Sequence, residues 1–463
     1  MESQSIDHAA LLPLYLAAAT AAVALFAGRA AKAATMIGLA ASGAAAIWLA
    51  AGPTRRTFAV DDWFSFTADE TAMGLAALFA ALTLLVAAIS GRTESEYLFL
   101  LAVSAAGGIT LASSRDLITL IVAVETLTVP LYVLVARPGR DGAEAGVTFL
   151  IASITASATA LMGAALLYSA AGTVHFAGLA PALAEAHTGL VAAGTALLLG
   201  GLAFKLAAAP LHSWAPLVLE RAPLPIATYL ASASKLGGAI AVIWVVHFGL
   251  AAGAGAEAGL VLAVLAVASI AVGNIGALVQ RRTVGLLAWS GIAHAGYVLA
   301  PLAALSTASG RENPAAAASA ALAYAVFFVL LEAGAFASLT AVRDDGGRID
   351  ELGGLWRAAP GPATVLLISV IGLAGLPPAL AGTFAKVAIL EWLASAALWM
   401  AIVVVAGAVV GLAYYLRLAR TVLLGEGARA RPRFTVAVLA AGLVLAAASL
   451  APGLVLEFTS MSQ

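Results

Sequence analysis

The feature that most constrains this chain is its succession of apolar stretches, each long enough to cross a bilayer. A helix needs about 20 apolar residues to span the hydrocarbon, and it closes its own backbone hydrogen bonds where no water can. A window of that length finds spans at 9–27, 33–51, 72–90, 97–113, 116–136, 146–170, 189–219, 224–249, 259–280, 283–306, 317–342, 361–395, 397–420 and 434–455. Only 10% of the residues are charged and 63% are hydrophobic, with a mean hydropathy of +1.03. Soluble domains carry roughly 25% charged residues, so most of this surface faces lipid. The longest polar intervals, around 52–71 and 343–361, are too short to bury a second core. The expected fold class is all-α: one polytopic bundle of about fourteen transmembrane helices. The acidic stretch Met1–His8 reads as the start of a retained first helix, not a cleaved signal peptide.

Two spans are too long for one straight crossing, and both carry internal proline. Pro210 lies in the seventh, and Pro377 and Pro378 lie in the twelfth. Proline removes an N–H and clashes with the preceding turn, so both helices are expected to break. Broken helices at matching places in two halves point to inverted repeats around a site at the membrane midplane. The units would be residues 97–250 (helices 4–8) and 259–425 (helices 9–13), preceded by helices 1–3 in 1–96 and followed by helix 14 in 426–463. No residue-level repeat supports that pairing.

Orientation follows from the basic residues, which favour inward loops. With both termini outside, the outward loops hold only Arg55, Arg56, Arg115 and Arg311. Sixteen others, including Arg137, Arg140, Arg429 and Arg431, fall inward, out of 23 lysines and arginines. That leaves Lys205, Lys235 and Lys386, all inside spans. Among the 24 acids, Glu125 and Glu332 fall near mid-span.

A charge at the bilayer centre costs roughly 2.5–3.5 kcal/mol on insertion scales, so these five residues need a reason to be there. Snorkelling would carry an ammonium to the interface, but these lysines sit beside breaks or small residues. Burial disfavours a charge and an opposite charge restores it. Lys205 opposite Glu125 is therefore a candidate electrostatic switch, and Lys235 a candidate relay. His212 and His294 also lie within spans and could bridge protons; a merely hydrogen-bonded buried histidine is an equal alternative. No histidine spacing resembles a metal site. Trp214, Trp289 and Tyr297 read as packing residues, and the stretch 253–259, GAGAEAG, as a short flexible loop. The lack of cysteine excludes disulfides and Cys-ligated clusters within the chain. Nothing suggests nucleic acid.

The stretches around these charges carry a pattern. They are DLITLIVAVETLTVPLYVLV (116–135), FKLAAAPLHSW (204–214), APLPIATYLASASKL (222–236), RTVGLLAWSGIAHAGY (282–297) and LAGLPPALAGTFAK (373–386). In order and spacing, from about residue 97 to 425, they resemble the fifth, seventh, eighth, tenth and twelfth helices of the antiporter-like membrane subunits of respiratory complex I. The ASASK stretch and the chain end soon after the fourteenth span are similar to N-type members, those of bacterial NADH–quinone oxidoreductase. Leu217, Leu219 and Arg221 depart from the family pattern, as does Glu332, where asparagine is usual.

The resemblance implies a proton-translocating subunit in a bacterial cytoplasmic (inner) membrane, whose partners are other membrane subunits and the lipid bilayer. In it Glu125 sets the charge of Lys205, Lys235 and His294 carry protons through the midplane, and Lys386 hands them on. Glu332 would tune Lys386 or a water chain, or else only bond a neighbouring helix. No cofactor is expected in this chain; NADH, FMN, iron–sulfur clusters and quinone would belong to the rest of the complex, whose activity is that of an NADH:quinone oxidoreductase. Three alternatives stay open: a subunit of a multisubunit cation/proton antiporter, a subunit of a membrane-bound hydrogenase-type complex, or a scaffold whose lysines only pair with acids.

Overall fold

The computed structural model describes residues 6–136, 140–428, 430 and 432–461. Arg137, Arg429, Arg431, the side chain of Arg140 and most of the acidic Met1–His8 lie outside the described residues.

Among these, eleven helices are long and apolar enough to cross a membrane, and the shorter apolar helices Leu12–Phe26, Pro360–Ala374 and Thr435–Leu450 fall on the remaining spans. The fourteen expected positions are therefore all helical. Spans 1 to 6 are Leu12–Phe26, Ala31–Ala50, Glu70–Ile89, Ser95–Ser113, Leu117–Val135 and Arg140–Ala171. Span 7 is split into Thr188–Lys205 and Trp214–Arg221, and span 8 runs Leu224–Leu250. Spans 9 to 11 are Gly255–Leu278, Thr283–Ala303 and Pro314–Val342. Span 12 is split into Pro360–Ala374 and Leu380–Ala396, and spans 13 and 14 are Leu398–Leu424 and Thr435–Leu450.

Side-chain caps start several of these helices. Asp69, Asp116 and Asn313 accept the N–H of Ala72, Thr119 and Ala316 at 2.8, 2.7 and 3.0 Å. Each satisfies a donor that the first helical turn leaves without a partner.

One polar interval holds structure that hydropathy does not reveal, and one local expectation is corrected. The polar interval after span 2 is not all loop: β1 (Arg55–Val60) and β2 (Trp63–Ala68) pair antiparallel from Arg55 opposite Ala68 to Val60 opposite Trp63. Alternating aromatic and polar residues suit a half-buried hairpin, and Asp61 turns it with φ +52°. The stretch GAGAEAG is not a loop either, because span 9 begins at Gly255 and takes Gly255–Gly259 into its first turns. Gly259 sits against the backbone of Leu305 and Ser306, an approach that a side chain would block.

Span 8 is buried along most of its length, as is span 10. A helix that is apolar all round belongs at the centre of a bundle, and that is where these two stand. Span 8 is also irregular: π-helical turns at Leu230–Ser234 and Val245–Leu250 flank a regular segment that begins at Lys235. Such turns concentrate at functional sites.

Both proline-bearing spans break where expected. In span 7, Leu206–Ser213 leaves the helix, with Ala207 at φ +63°. In span 12, Gly375 at φ +82° ends the first half, and Leu376 N–H reaches back to the Ile371 carbonyl at 3.1 Å, as in a Schellman cap. A freed N–H in each region finds a serine five spans apart in the chain order. Ala209 N–H donates to Ser269 Oγ of span 9 at 2.8 Å, and Ala381 N–H donates to Ser449 Oγ of span 14 at 3.1 Å. The break of span 7 is thus tied to span 9, and that of span 12 to span 14.

Candidate functional site

Lys205 is the last residue of the first half of span 7, at the edge of the break. Gly238 of span 8 packs on the Lys205–Leu206 backbone so closely that an added Cβ would stand 2.6 Å from it. The lysine side chain is 4% exposed, and its ammonium donates to Glu125 Oε1 at 2.9 Å, Ser153 Oγ at 2.8 Å and Thr128 Oγ1 at 3.2 Å. All three donors of the charged form are used. Ser157 donates to the same Glu125 oxygen at 2.6 Å, and Tyr132 donates to Ser153 at 2.6 Å. Glu125 itself is 31% exposed, on a flank where Ile118, Val122, Val129 and Val133 also point outward. One member of the pair is thus enclosed and the other opens onto the side of the bundle.

Lys235 stands one turn before Gly238, fully buried at the start of the regular part of span 8. Its ammonium lies 5.3 Å from the Phe328 ring centroid, and Phe328 stacks on His294 at 4.8 Å with the rings 8° apart. His294 is held from both nitrogens. Nδ1 is 2.8 Å from the Tyr324 hydroxyl and Nε2 is 3.0 Å from the Tyr415 hydroxyl. One nitrogen accepts and the other donates in the neutral ring, so the imidazole is built into a line of exchangeable protons. Tyr414 extends that cluster by donating to Asn274 at 3.0 Å, and Asn274 lies 3.4 Å from the Tyr297 hydroxyl.

Lys386, in the second half of span 12, reaches back across the break. Its ammonium donates to the carbonyls of Ala374 at 2.6 Å and Leu373 at 3.0 Å, the open C-terminal end of the first half-helix. A cation is favoured at that end of the helix dipole. Between it and His294 lies a cavity of ≈ 10 Å³, lined by both residues with Tyr324, Phe328 and Leu373. That is about the room one water needs. Glu332 falls beside Lys235 rather than Lys386: a Cβ at Gly291 would meet the Lys235 ammonium and lie 3.7 Å from Glu332 Oε1.

The six expected residues thus fall into two assemblies, Glu125 with Lys205, and Lys235 with His294, Lys386 and Glu332. His212 joins neither; it is half-buried beside Trp289, ring centroids 5.5 Å apart. Trp214 packs as expected, stacked on Phe149 at 4.6 Å. Tyr297 does more than pack, since its hydroxyl meets Asn274 and its ring meets His294 edge-on at 5.3 Å. Ser153, Ser157, Thr128, Tyr324, Tyr415 and Asn274 were not foreseen. Hydroxyls and amides are common inside helices, and only the packing shows which ones face a charge. Among the described residues no group of three or more His, Asp or Glu is placed to hold a metal.

Residues 114–411, which contain all six expected site residues, match the family described as NADH:quinone oxidoreductase/Mrp antiporter, TM. The chain belongs to this family. It is similar to NADH-quinone oxidoreductase subunit N of Salinispora tropica, 46% identical over 89% of this chain and 84% of that protein's length. Subunit N 2 of Streptomyces griseus is 38% identical over 76% and 69%. Among solved structures, a chain of respiratory complex I from Thermus thermophilus is 30% identical, covers 97% of this chain and 100% of its own, and superposes with a TM-score of 0.83. A chain of the Mrp complex from Dietzia sp. has a TM-score of 0.84 at 21% identity, a likeness of fold alone. The polytopic membrane fold and the antiporter-type family are therefore established for this chain.

Proposed function

We propose that this chain is an N-type, proton-translocating membrane subunit of an NADH:quinone oxidoreductase, embedded in a bacterial cytoplasmic membrane with both termini outside. Quinone reduction in other subunits, which carry the NADH, FMN, iron–sulfur and quinone sites, would drive proton movement here. Glu125, Lys205, Lys235, His294, Lys386 and Glu332 form the proton path, distributed over two five-helix units, 97–250 and 259–425. The observation that carries the reading is the enclosed Lys205 ammonium, bonded to Glu125 at the break of span 7. A buried ion pair contributes little or nothing to stability compared with apolar packing, so its value here is as a switch.

The geometry supports a sequence of roles. When Glu125 is ionised it holds the Lys205 charge; when that carboxylate is neutralised or drawn away, the ammonium keeps only the serine and threonine hydroxyls. Charge then favours moving a proton inward toward Lys235, one turn from the Gly238 contact. His294, bonded by two tyrosines, passes protons by exchanging donor and acceptor nitrogens. Lys386 receives them through the small cavity and sits on backbone carbonyls that welcome its charged form. The outward exposure of Glu125 at mid-span supports a neighbouring membrane subunit on that flank, since an acid left in hydrocarbon would be costly.

The test is proton pumping per electron by the assembled complex in vesicles, with Lys205→Met against the parent. A fall in the ratio with subunit content intact supports the reading. An unchanged ratio and turnover contradict it.

A further inference from the structure

Among the described residues, Glu332 is the buried acid left without a hydrogen bond. It lies on span 11, fully enclosed, and neither of its carboxylate oxygens accepts a hydrogen bond from the protein. An unpartnered buried carboxyl group is among the most unfavourable things a membrane interior can hold. Lys235, equally enclosed, faces it across the backbone of Gly291 in span 10. A Cβ on Gly291 would fall on the Lys235 ammonium and stand 3.7 Å from Glu332 Oε1. The two charged ends are thus roughly 4–6 Å apart, too far for a direct ion pair and the span that one water covers with two hydrogen bonds of about 2.8 Å each. Phe328 closes one side, its ring centroid 5.3 Å from the ammonium.

Resting on the reading of this chain as a proton-translocating subunit, we propose that Lys235 and Glu332, joined by one water, form a second acid–lysine unit in which Glu332 takes up and returns the Lys235 proton. The ammonium gives a proton to the water, and the water gives one of its own to a Glu332 oxygen. The products are a neutral amine, a neutral acid and the same water. Net charge is zero before and after, so the exchange alters the local dipole without placing an uncompensated charge in a low-dielectric interior. The unit differs from Glu125–Lys205, where the acid touches the lysine and opens to the flank. Here both members are enclosed, and the exchange is read by His294 through Phe328, which touches both. Gly291 is what leaves room for the Lys235 ammonium; an alanine would displace it.

The experiment uses the assembled complex with subunit content verified. Glu332→Gln keeps the shape and removes the exchangeable acid; Glu332→Asp keeps the acid; Gly291→Ala pushes the Lys235 ammonium from its place beside Glu332. Quinone-coupled turnover and proton pumping are expected to fall about tenfold or more in Glu332→Gln, with part of the loss recovered in Glu332→Asp. Infrared difference spectra of resting against turning-over complex are expected to show a buried carboxylic-acid band that disappears in Glu332→Gln. Gly291→Ala is expected to lower turnover on its own, which keeps the test open if the glutamine variant fails to assemble. Parent-like turnover and pumping in assembled Glu332→Gln, persistence of the band, or parent-like turnover in Gly291→Ala would each overturn the proposal. If Lys205→Met loses pumping while Glu332→Gln does not, only this inference falls. If neither variant loses pumping, the reading of the subunit falls with it.

Discussion

The Glu125–Lys205 contact allows a prediction with a worked magnitude. At 2.9 Å, two unit charges attract by about 6 kcal/mol at an effective dielectric constant near 20. Two features reduce what a substitution would remove. Glu125 is 31% exposed, so its charge is partly screened. Glutamine in its place would still accept from the Lys205 ammonium and from Ser157. The charge-specific part that remains is about 2–3 kcal/mol, or roughly 30- to 160-fold in a rate limited by this switch. If the two residues act as one unit, Glu125→Gln and Lys205→Met each slow coupled turnover, and the double variant is no slower than the worse single one. The departure from additivity should equal that 30- to 160-fold factor. The assay is quinone-coupled turnover and proton pumping of the four complexes in vesicles, at matched subunit content. Losses that multiply would refute the idea that the acid acts through the lysine.

Three further outcomes follow from other contacts. His294→Phe keeps the stack on Phe328 but leaves the hydroxyls of Tyr324 and Tyr415 without their partner; coupled turnover should fall about tenfold or more, while electron input to an artificial acceptor is unchanged. Lys386→Met uncovers the carbonyls of Leu373 and Ala374, at about 1–3 kcal/mol for unmade buried bonds. Both the thermal stability of the assembled complex and its pumping should drop, and Lys386→Arg should rescue the first more than the second. Asp116→Ala removes the cap on span 5, worth about 1 kcal/mol; it should lower the unfolding temperature and leave protons per electron unchanged.

Much of this architecture was legible because lipid imposes a simple rule: every crossing must be a helix of sufficient apolar length. The positions of all fourteen spans and both breaks could be read from runs of Leu, Ala and Val and from Pro210 and Pro377–Pro378. Charge made the site legible in the same way, since lysine inside a span is expensive enough to stand out. The unread parts lack such a signal. The β1–β2 hairpin lies in a polar interval where hydropathy is silent, and the π-helical turns around Lys235 have no marker in LASAS or VVHFGL. Tyr324, Tyr415, Asn274, Ser153 and Ser157 each sit in a helix that is apolar on every side, so periodicity does not say which face they take. Glu332 was visible as an oddity, and only the packing over Gly291 shows that it lies beside Lys235.

Lys235 is the residue on which both the relay and the second acid–lysine unit depend, and it is among the most enclosed charges in the protein. Protons moved per electron by the assembled complex carrying Lys235→Met is therefore the most direct measurement. A clear fall in that ratio, with subunit content and electron input at the parent level, is the expected result. A parent-like ratio in that complex would mean that the buried lysines only brace the bundle, and would contradict a proton path through this chain.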